Sequence, residues 1–352
     1  MRAGRSGMSS PTFILEQQKL QENLKHFEYI AKETDTQWLY TLKAFDASQG
    51  LDIISQSFDG FSIGNSNELK KIDSYPKHIH SYAPAFYDDE VKTLAQQSHT
   101  MSFNSLTQWK HYAKECNTYT SLGLRINPKL SIEQPQYCDS NLSRLGINYK
   151  IFLEQYDSFE NLEGLHFHAL CNQNVNALDT LLHHIECNYQ ALLPKLKWIN
   201  LGGGQNFTHQ DYDTEAFIIR IQTFKKKYPH LALYFEPGTS VIEHCGYFKC
   251  TVLDIIDAKI PIVILNTSIE AHLLDVAITK QKPKIKGISQ TKTAYEYELT
   301  GMSCIAGDVI GRYQFVEPLK VGDEIIFENM LGYAWVKQTS FNGLKEAGFK
   351  IV

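Results

Sequence analysis

The sequence predicts an α/β protein made of a (β/α)8 TIM barrel followed by a β domain, and two observations support this architecture. Up to Gly238, eight short apolar runs of strand type alternate with stretches of helical periodicity, and parallel strands need helical crossovers of this kind. After Gly238 the runs are shorter and are separated by turn residues, which is typical of a β domain. An open, doubly wound sheet is the alternative for the first part.

The predicted barrel strands follow one another in chain order, with helical stretches between them. They are expected at 38–42, 60–63, 79–83, 100–103, 122–126, 164–168, 198–201 and 231–235. Asn65 with Glu68 three residues later makes an N-cap and N3 pair, which predicts a helix start after the second run. A further helix face is traced by Leu178, Leu181, Leu182 and Ile185. Eight such units that close on themselves form a barrel.

The predicted β domain contains strand-like runs at 247–256, 262–265, 295–299, 324–327 and 334–336. A short apolar run that begins at Phe13 has no place in the barrel count, so we expect it to join this second sheet. The predicted domains are therefore a barrel over 16–238 and a C-terminal β domain, of sandwich or barrel type, over 239–352 together with 8–15.

Composition excludes several classes of protein. Of 352 residues, 43% are hydrophobic and 21% are charged, which fits a globular protein and argues against disorder. The net charge is -5 and basic runs are short, so we expect no nucleic-acid partner. No apolar run is long enough to span a membrane. Seven cysteines without a C-x-x-C pattern indicate neither a disulfide framework nor a zinc site, and favour a reduced, cytoplasmic location.

The catalytic groups of a parallel barrel lie at the carboxyl ends of its strands, and Lys43 follows the first of these strands. Its neighbours Leu42, Ala44 and Phe45 are apolar. Partial burial would make its amine available for a Schiff base. The alternative is a lysine whose stem packs against the protein while its ammonium group reaches solvent.

The run at 164–168 ends in His168, with His166 two residues earlier on the same strand face. Two histidines in this spacing could ligate a metal, but no further ligand cluster accompanies them, so we predict no metal site. Cys171, just beyond, could lie in the wall of a cofactor site or serve as a small buried apolar residue.

Two further strand ends carry residues with chemical meaning. Gly202, Gly203 and Gly204 follow the run at 198–201, and successive glycines let backbone N–H groups approach an anion. A tight turn would explain them equally well, and the pattern is not a dinucleotide fingerprint. Glu236 ends the eighth run, where a carboxylate could act in a glycosidase or pair with a protonated ring nitrogen. The glycosidase alternative lacks a second carboxylate at a strand end.

The β domain contains the segment GMSCIAGD, with Cys304 and Asp308, and the segment NMLGYAW, with Tyr333. Spacing alone gives Cys304 and Asp308 no defined role. The barrel residues are more informative as a set, since an amine, an anion cradle, a carboxylate and a histidine meet the needs of pyridoxal 5'-phosphate. Lys43 would take its aldehyde, glycine N–H groups its phosphate, and Glu236 its pyridinium nitrogen.

The motifs YTLKAF, GLHFHALC, NLGGGQ, EPG, LNTSIEAHLLDVA and SCIAGDVIG together resemble the fold-type III pyridoxal-phosphate decarboxylases, a family of alanine-racemase-like barrels, over about 13–344. SCIAGD is the most discriminating string. It resembles the S-C-L-A-G-D of the carboxynorspermidine and carboxyspermidine decarboxylases within that family. The resemblance implies a lyase of polyamine biosynthesis that decarboxylates a small cationic amino acid carrying a polyamine tail, and a homodimer with shared active sites.

The resemblance also implies a role for each matching residue. Lys43 would form the Schiff base, His168 would stack on the cofactor ring and Cys304 would act as the general acid. The residues implied to bind the cofactor are Lys43, Glu68, Arg125, His168, Cys171, Gly202, Gly203, Gly204, Glu236, Gly238 and Tyr333. Those implied to meet the substrate are Thr239, Glu270, His272, Asp275 and Asp308.

Two departures from the family pattern concern the substrate. Thr239 stands where the strand-8 motif usually has an acidic residue, and the segment GFSIGN replaces an F-S-V-S-S-like one. Ornithine, lysine, diaminopimelate or 2,4-diaminobutyrate therefore remain alternative substrates. A racemase of this fold would need a second base, commonly a tyrosine, where the Cys304 loop is expected. A non-enzymatic pyridoxal-phosphate protein of the single-barrel type would lack the β domain.

Overall fold

The computed structural model describes residues 10–75, 77–130, 143–288 and 295–352. The chain divides into two compact units. The barrel unit comprises Glu22–Lys43 and Gly50–Val241, and the sheet unit comprises the described residues up to Gln21 together with Ala44–Gln49 and Ile242–Val352. The domain limits given above stay a prediction, because compactness alone does not show which residues fold together.

The barrel unit contains a closed barrel of eight parallel strands. Its strands are β2 (Gln37–Thr41), β3 (Gly60–Ile63), β4 (His78–Tyr82), β5 (Thr100–Phe103), β6 (Ser121–Asn127), β8 (Gly164–Phe167), β9 (Trp198–Asn200) and β10 (Ala232–Phe235), and a short strand, β7 (Ile147–Asn148), adds to the edge of β6. Pairing of β10 with β2 and of β5 with β6 closes the ring. The barrel prediction is confirmed, and the open sheet is wrong.

Helices alternate with these strands, as the sequence predicts. They are α1 (Gln17–Thr34), α2 (Ser48–Ile54), α3 (Ser66–Ile72), α4 (Asp88–Gln97), α5 (Leu106–Cys116), α6 (Tyr149–Glu154), α7 (Val175–Asn188), α8 (Thr214–Lys227) and α9 (Thr239–Ile242). The side chain of Asn65 caps α3 by accepting hydrogen bonds from the backbone of Asn67 and Glu68. The predicted apolar face of α7 is fully buried.

The lower end of the barrel interior is filled by the indole ring of Trp198, which packs with Leu39 and Tyr234. A Cβ atom added at Gly123 or at Gly164 would lie 2.3 Å or 2.0 Å from this ring, respectively. Any side chain at either glycine would therefore collide with the indole, because interiors of this kind are close-packed. This end of the barrel is a packed apolar layer, which leaves the opposite end for chemistry.

The sheet unit is built on seven strands, and β1 lies inside its sheet. The strands are β1 (Thr12–Leu15), β11 (Gly246–Ile256), β12 (Ile262–Leu265), β13 (Tyr295–Thr300), β14 (Val309–Phe315), β15 (Glu324–Glu328) and β16 (Gly348–Ile351), with short helices α10 (Ile269–His272), α11 (Leu274–Thr279) and α12 (Tyr333–Val336). Strand β1 pairs antiparallel with β11 and parallel with β16. The expectation that the N-terminal run joins this sheet is confirmed.

Several elements of the sheet unit differ from the sequence prediction, among them helices α10 and α11, which were not predicted. The run at 334–336 forms part of helix α12, because Gly332 with φ +63 starts a turn whose carbonyl accepts from Trp335 and Val336. Strand β14 was not predicted, because Gly311, with φ +144, and a register shift where β14 pairs with Leu299 and Thr300 interrupt the alternation of apolar residues. Strand β16 was also not predicted, and it is only four residues long. In the described part of the chain, no helix combines the length and apolar character that crossing a bilayer requires.

Candidate active site

A cavity of about 380 Å³ opens at the carboxyl ends of the barrel strands, a size suited to a small cofactor. It brings together five of the predicted site residues, namely Lys43, Glu68, Arg125, His168 and Glu236. The remaining lining residues are Thr41, Ser62, Ile63, Gly64, Asn65, Tyr82, Ala83, Pro84, Arg144, Leu145 and His166. The glycine loop, Cys171 and Gly238 are not among the lining residues. The loop nevertheless contacts two residues that do line the cavity, His168 and Glu236.

Lys43 lies in a short 3-10 turn directly after β2. The expected partial burial is wrong, because the residue is exposed while its neighbours Leu42 and Ala44 are buried. The turn is fixed through Thr41, whose backbone N–H donates to the carbonyl of Pro237 at 3.0 Å and whose hydroxyl donates to the carbonyl of Glu236 at 2.8 Å. The segment that carries the lysine is therefore held against the end of β10, and Lys43 lines the cavity.

Glu236 is a buried carboxylate, only 7% exposed, at the end of β10. Oε1 accepts a 2.7 Å hydrogen bond from Nδ2 of Asn200, and lies 3.8 Å from Nε2 of His80. Oε2 lies 3.5 Å from Nε2 of His166. Burial by itself would raise the pKa of Glu236, but His166, His80 and the Asn200 amide outweigh it and hold that pKa well below its usual range. The cavity thus contains an ionised carboxylate.

His168 follows β8 and is fixed on both ring nitrogens. The backbone N–H of Gly203 lies 3.2 Å from Nδ1, and Sγ of Cys171 lies 3.2 Å from Nε2. Since an amide can only donate, Nδ1 is the acceptor and the proton of the neutral ring is on Nε2, directed at the thiol. Burial, then the charges of Arg125 and Lys43, hold the pKa of His168 well below its usual range. A neutral ring suits stacking on a cofactor.

The glycine loop packs tightly against the ends of two strands. Gly202 and Gly204 have φ of +69 and +95, and a Cβ at Gly203 would lie 1.9 Å from the carbonyl oxygen of Glu236. Two of the three amides already have acceptors, since Gly202 donates to Oδ1 of Asn200 and Gly203 donates to His168. The loop therefore offers an anion fewer free N–H groups than its sequence indicates.

Arg125 supplies unsatisfied hydrogen-bonding capacity beside the cavity. Its guanidinium carbon lies 4.6 Å from the centre of the Tyr82 ring, and the residue is only 5% exposed. One terminal nitrogen, Nη2, has no hydrogen-bond partner among the described residues. A buried, charged donor without a partner is costly in a folded protein. The residues present consequently fit an anionic or strongly accepting group such as pyridoxal 5'-phosphate would bring.

Glu68 and the turn after β10 complete the predicted barrel residues. The carboxylate of Glu68 accepts a 2.6 Å hydrogen bond from the backbone N–H of Gly64, so it braces the loop after β3. Gly238 precedes α9, and its carbonyl accepts from Val241. Thr239 is the first residue of that helix and is exposed.

In the sheet unit, Cys304 and Asp308 belong to one loop but lie in different environments. Cys304 is exposed, and its backbone N–H donates to Oδ1 of Asn342. Asp308 is 3% exposed. Its carboxylate accepts from the backbone of Ile269 at 2.8 Å and from the backbone and hydroxyl of Ser303 at 3.0 and 2.6 Å. These contacts favour a role for Asp308 in holding the loop that presents Cys304.

His272 and Glu270 are likewise engaged within the sheet unit. His272 is 1% exposed, with Nδ1 3.0 Å from the hydroxyl of Thr267 and Nε2 2.8 Å from the carbonyl of Lys345. The carboxylate of Glu270 accepts from the hydroxyl of Ser268 at 3.0 Å. Both ring nitrogens of His272 are used, so its geometry favours a structural role over contact with a substrate.

Asp275 and Tyr333 share a cation from their own unit. The ammonium group of Lys337 lies 2.5 Å from Oδ1 of Asp275 and 4.7 Å from the centre of the Tyr333 ring. Asp275 keeps 27% of its side chain exposed. The pair shows that this carboxylate and this ring can hold an alkylammonium group, which is the chemistry expected of a site for a polyamine tail.

Sequence reasoning missed His80, Asn200, Tyr82 and Arg144, and gave His166 no role beside Glu236. The predicted candidates lie at or just past the strand ends, whereas these histidines lie within β4 and β8. The alternating histidines of the run HIHSY were the available signal, because a polar side chain repeated on one face of a barrel strand points to a polar interior. Among the described residues, no three His, Cys, Asp or Glu side chains form a group that could hold a metal ion.

Comparison with known proteins places these residues in a family. The family model described as pyridoxal-dependent decarboxylase, C-terminal sheet domain, matches residues 80–330. A carboxynorspermidine/carboxyspermidine decarboxylase of Campylobacter jejuni is 35% identical over 96% of this chain and 91% of its own length. A carboxyaminopropylagmatine decarboxylase of Synechocystis is 34% identical over 96% of this chain and 89% of its own length.

Solved structures give the same result. The crystal structure of carboxynorspermidine decarboxylase from Campylobacter jejuni, complexed with norspermidine, is 35% identical, with a TM-score of 0.89 over 97% of this chain and 94% of that one. The arginine decarboxylase of Paramecium bursaria Chlorella virus, bound to agmatine, has a TM-score of 0.83 at 17% identity over 99% and 97% of the two chains. The second likeness concerns the fold alone.

Proposed function

The chain belongs to the pyridoxal-dependent decarboxylase family, and from this premise we propose that it decarboxylates a carboxylated polyamine, carboxynorspermidine or carboxyspermidine. The observation that carries the proposal is the cavity that combines the amine of Lys43 with the ionised carboxylate of Glu236. In the reaction the carboxylate of the substrate leaves as carbon dioxide and a proton takes its place on the same carbon, giving norspermidine or spermidine.

Pyridoxal 5'-phosphate supplies an aldehyde that captures amines and a pyridinium ring that accepts the electron pair left by carbon dioxide. We assign its retention to this chain's own groups. Lys43 provides the amine, His168 the flat neutral surface and Glu236 the acceptor for the ring N–H. Arg125 contributes its unpaired donor, and the phosphate is left to the glycine loop, Cys171, Gly238 and Tyr333. Glu68 holds the loop beside Lys43.

We assign the final proton to the thiol of Cys304, which is exposed and therefore able to meet a substrate. Asp275 is assigned to the distal ammonium groups, since it already holds the alkylammonium of Lys337. Glu270 and Thr239 remain proposed neighbours of the substrate. Asp308 and His272, by contrast, are assigned to supporting this surface, because their polar atoms are occupied by protein partners.

A second substrate has specific support. The Synechocystis relative that is named a carboxyaminopropylagmatine decarboxylase is 34% identical, almost as similar as the Campylobacter relative at 35%. Its substrate would carry a guanidinium group at the tail in place of an ammonium group. Asp275 could accept either, with a planar guanidinium favouring two parallel hydrogen bonds.

One experiment separates these possibilities. The pyridoxal-phosphate-loaded enzyme is incubated in parallel with carboxynorspermidine, carboxyspermidine, carboxyaminopropylagmatine, ornithine, lysine and diaminopimelate, and carbon dioxide release is measured for each. We expect kcat/KM for a carboxylated polyamine to exceed that for ornithine or lysine by at least about 100-fold, because a short substrate has no tail to contact the groups proposed for the distal ammonium. A preference for ornithine, lysine or diaminopimelate would contradict the proposal.

We also propose that the enzyme is a homodimer with shared active sites. Support comes from the exposure of Cys304, whose neighbours Met302 and Ile305 are exposed apolar residues on the same loop. Light scattering measures the assembly, and mixing two inactive variants, Lys43→Ala and Cys304→Ala, tests the sharing. Random exchange should restore about a quarter of the wild-type activity if each site takes one residue from each subunit. No recovery on mixing would contradict shared sites.

A further inference from the structure

Three side chains from three barrel strands meet at the inner end of the cavity, which two of them line. His80 comes from β4, His166 from β8 and Glu236 from the end of β10. The two imidazole rings are 5.2 Å apart at 86°, and the three residues are 0%, 1% and 7% exposed. A carboxylate so deeply buried needs hydrogen bonds or opposite charge to remain in place. Its surroundings therefore determine how it can act.

The hydrogen bonds around this cluster are unevenly distributed. His80 is satisfied, since Nδ1 lies 2.8 Å from the hydroxyl of Thr100 and Nε2 lies 3.2 Å from the hydroxyl of Ser102. His166 is not, because both of its ring nitrogens are buried without a hydrogen-bond partner among the described residues. Its Nε2 faces Oε2 of Glu236 at 3.5 Å, a few tenths of an ångström longer than a formed hydrogen bond. Such contacts commonly tighten in the loaded enzyme.

The charge states fix the direction of this contact. Burial lowers the pKa of His166, even though Glu236 opposes the shift, so the ring is neutral and carries one N–H. Glu236 is ionised and can only accept. The proton of His166 consequently belongs on Nε2. A carboxylate has about four acceptor directions, and Asn200 with His166 would use two of them, one from each side.

We propose that His166 is a positioning residue, which orients the Glu236 carboxylate by donating from Nε2 and so presents its remaining acceptor directions to the ring nitrogen of the cofactor. The inference rests on the proposed function only in assigning Glu236 to that nitrogen. Asn200 fixes Oε1, and His166 completes the pair by fixing Oε2. His80, whose nitrogens have hydroxyl partners, supports the His166 ring by edge contact.

A double-mutant cycle on cofactor binding tests the proposal without any substrate. The dissociation constant of pyridoxal 5'-phosphate is measured by fluorescence for the wild type, His166→Leu, His166→Gln, Glu236→Gln and the double variant His166→Leu with Glu236→Gln. We expect His166→Leu to weaken binding about 10-fold, and His166→Gln, whose amide restores a donor, to stay within about 3-fold of the wild type. In the Glu236→Gln background, His166→Leu should cost less than about 2-fold. His183→Gln, on the exposed face of α7, is the matched control.

Two results would overturn the proposal. An unchanged dissociation constant in His166→Leu would show that the ring does nothing for Glu236, and an equal loss in both backgrounds would show that it acts independently of Glu236. If His166→Leu does not fold, nitrogen NMR of protein labelled in its histidines decides, with the His166 signal assigned by its loss in His166→Gln. A proton on Nδ1 in the wild type would exclude donation to Glu236. None of these results depends on which polyamine is the substrate.

Discussion

The polar residues of the barrel unit and those of the sheet unit differ in how completely the protein satisfies them. In the barrel, Nη2 of Arg125 and both ring nitrogens of His166 are buried without hydrogen-bond partners among the described residues. In the sheet unit, Asp308 and His272 are as deeply buried but have a protein partner for each oxygen or nitrogen. Since leaving a buried polar group unpaired is costly, the unpaired Nη2 of Arg125 beside the cavity indicates where a ligand belongs, and the paired groups of the sheet unit indicate a structural role.

The largest effect is expected at Lys43, which lines the cavity of the barrel unit. We expect Lys43→Ala to lower kcat by at least about 1,000-fold, because the variant lacks the amine that bonds covalently to the cofactor aldehyde. The variant should also lose the yellow absorbance of the bound cofactor. Absorbance spectra and carbon dioxide release measure the two effects. Lys70→Ala, at an exposed position of α3, should leave both unchanged. Retention of the yellow band in Lys43→Ala would refute the assignment.

Cys304 is an exposed thiol in the loop that Asp308 holds, and its loss should affect chemistry without affecting cofactor binding. We expect Cys304→Ala to slow amine formation about 100-fold through loss of the general acid, with diversion of product to aldehyde and pyridoxamine phosphate. Chromatography of the products measures the ratio. Cys187→Ala, exposed on α7, is the control. An unchanged rate and product ratio would remove Cys304 from the mechanism.

Asp308→Asn should lower the stability of the protein and should not act through substrate binding. The substitution replaces an acceptor by a donor that faces the N–H of Ile269 or the groups of Ser303, which should lower the free energy of unfolding by about 2 kcal/mol. Urea denaturation measures this, with Asp257→Asn at an exposed position as control. A stable variant with a raised KM alone would return Asp308 to the substrate site.

The buried histidines of the barrel make stability depend on pH. Burial lowers the pKa of His80 to about 3 and that of His78 to about 4. Between these values and 6.5, the ordinary pKa of histidine, the unfolded chain binds more protons than the folded chain. The stabilisation is therefore fully present above about pH 6.5 and is lost on acidification. We expect about 1.4 kcal/mol of unfolding free energy to be lost per pH unit for each histidine. His80→Gln should flatten the profile of the cofactor-free protein between pH 6.5 and 4, whereas His183→Gln should not.

The smallest effect is expected at Lys337, which pairs with Asp275. Lys337→Met frees the carboxylate, so KM for a polyamine substrate should fall by about 2-fold to 5-fold, while the unfolding free energy should change by less than about 1 kcal/mol because the pair is partly exposed. Steady-state kinetics with an uncharged-tail analogue, together with the exposed control Lys350→Met, provide the reference. A rise in KM for the polyamine would mean that the ammonium group of Lys337 assists the substrate.

The fold could be predicted from the sequence because each barrel strand is a short apolar run bounded by helix signals, and those signals are local. Strand β14 escaped because Gly311 and a register shift break its alternation. The site was predicted less completely, for reasons that are also physical. Lys43 has apolar neighbours and is nevertheless exposed, since burial depends on the direction of a side chain and on distant strands. The alternating histidines of β4 indicate a polar interior, but the meeting of His80 with His166 and Glu236 depends on barrel closure, which no local pattern reports.

The indole layer formed by Trp198 against Gly123 and Gly164 sets a limit on how this scaffold can be redesigned. Replacing Trp198 by a smaller residue would create a void, and replacing either glycine by a larger residue would cause a collision. Engineered acceptance of bulkier molecules would consequently have to come from remodelling loops at the rim, while the base of the scaffold is kept as it is.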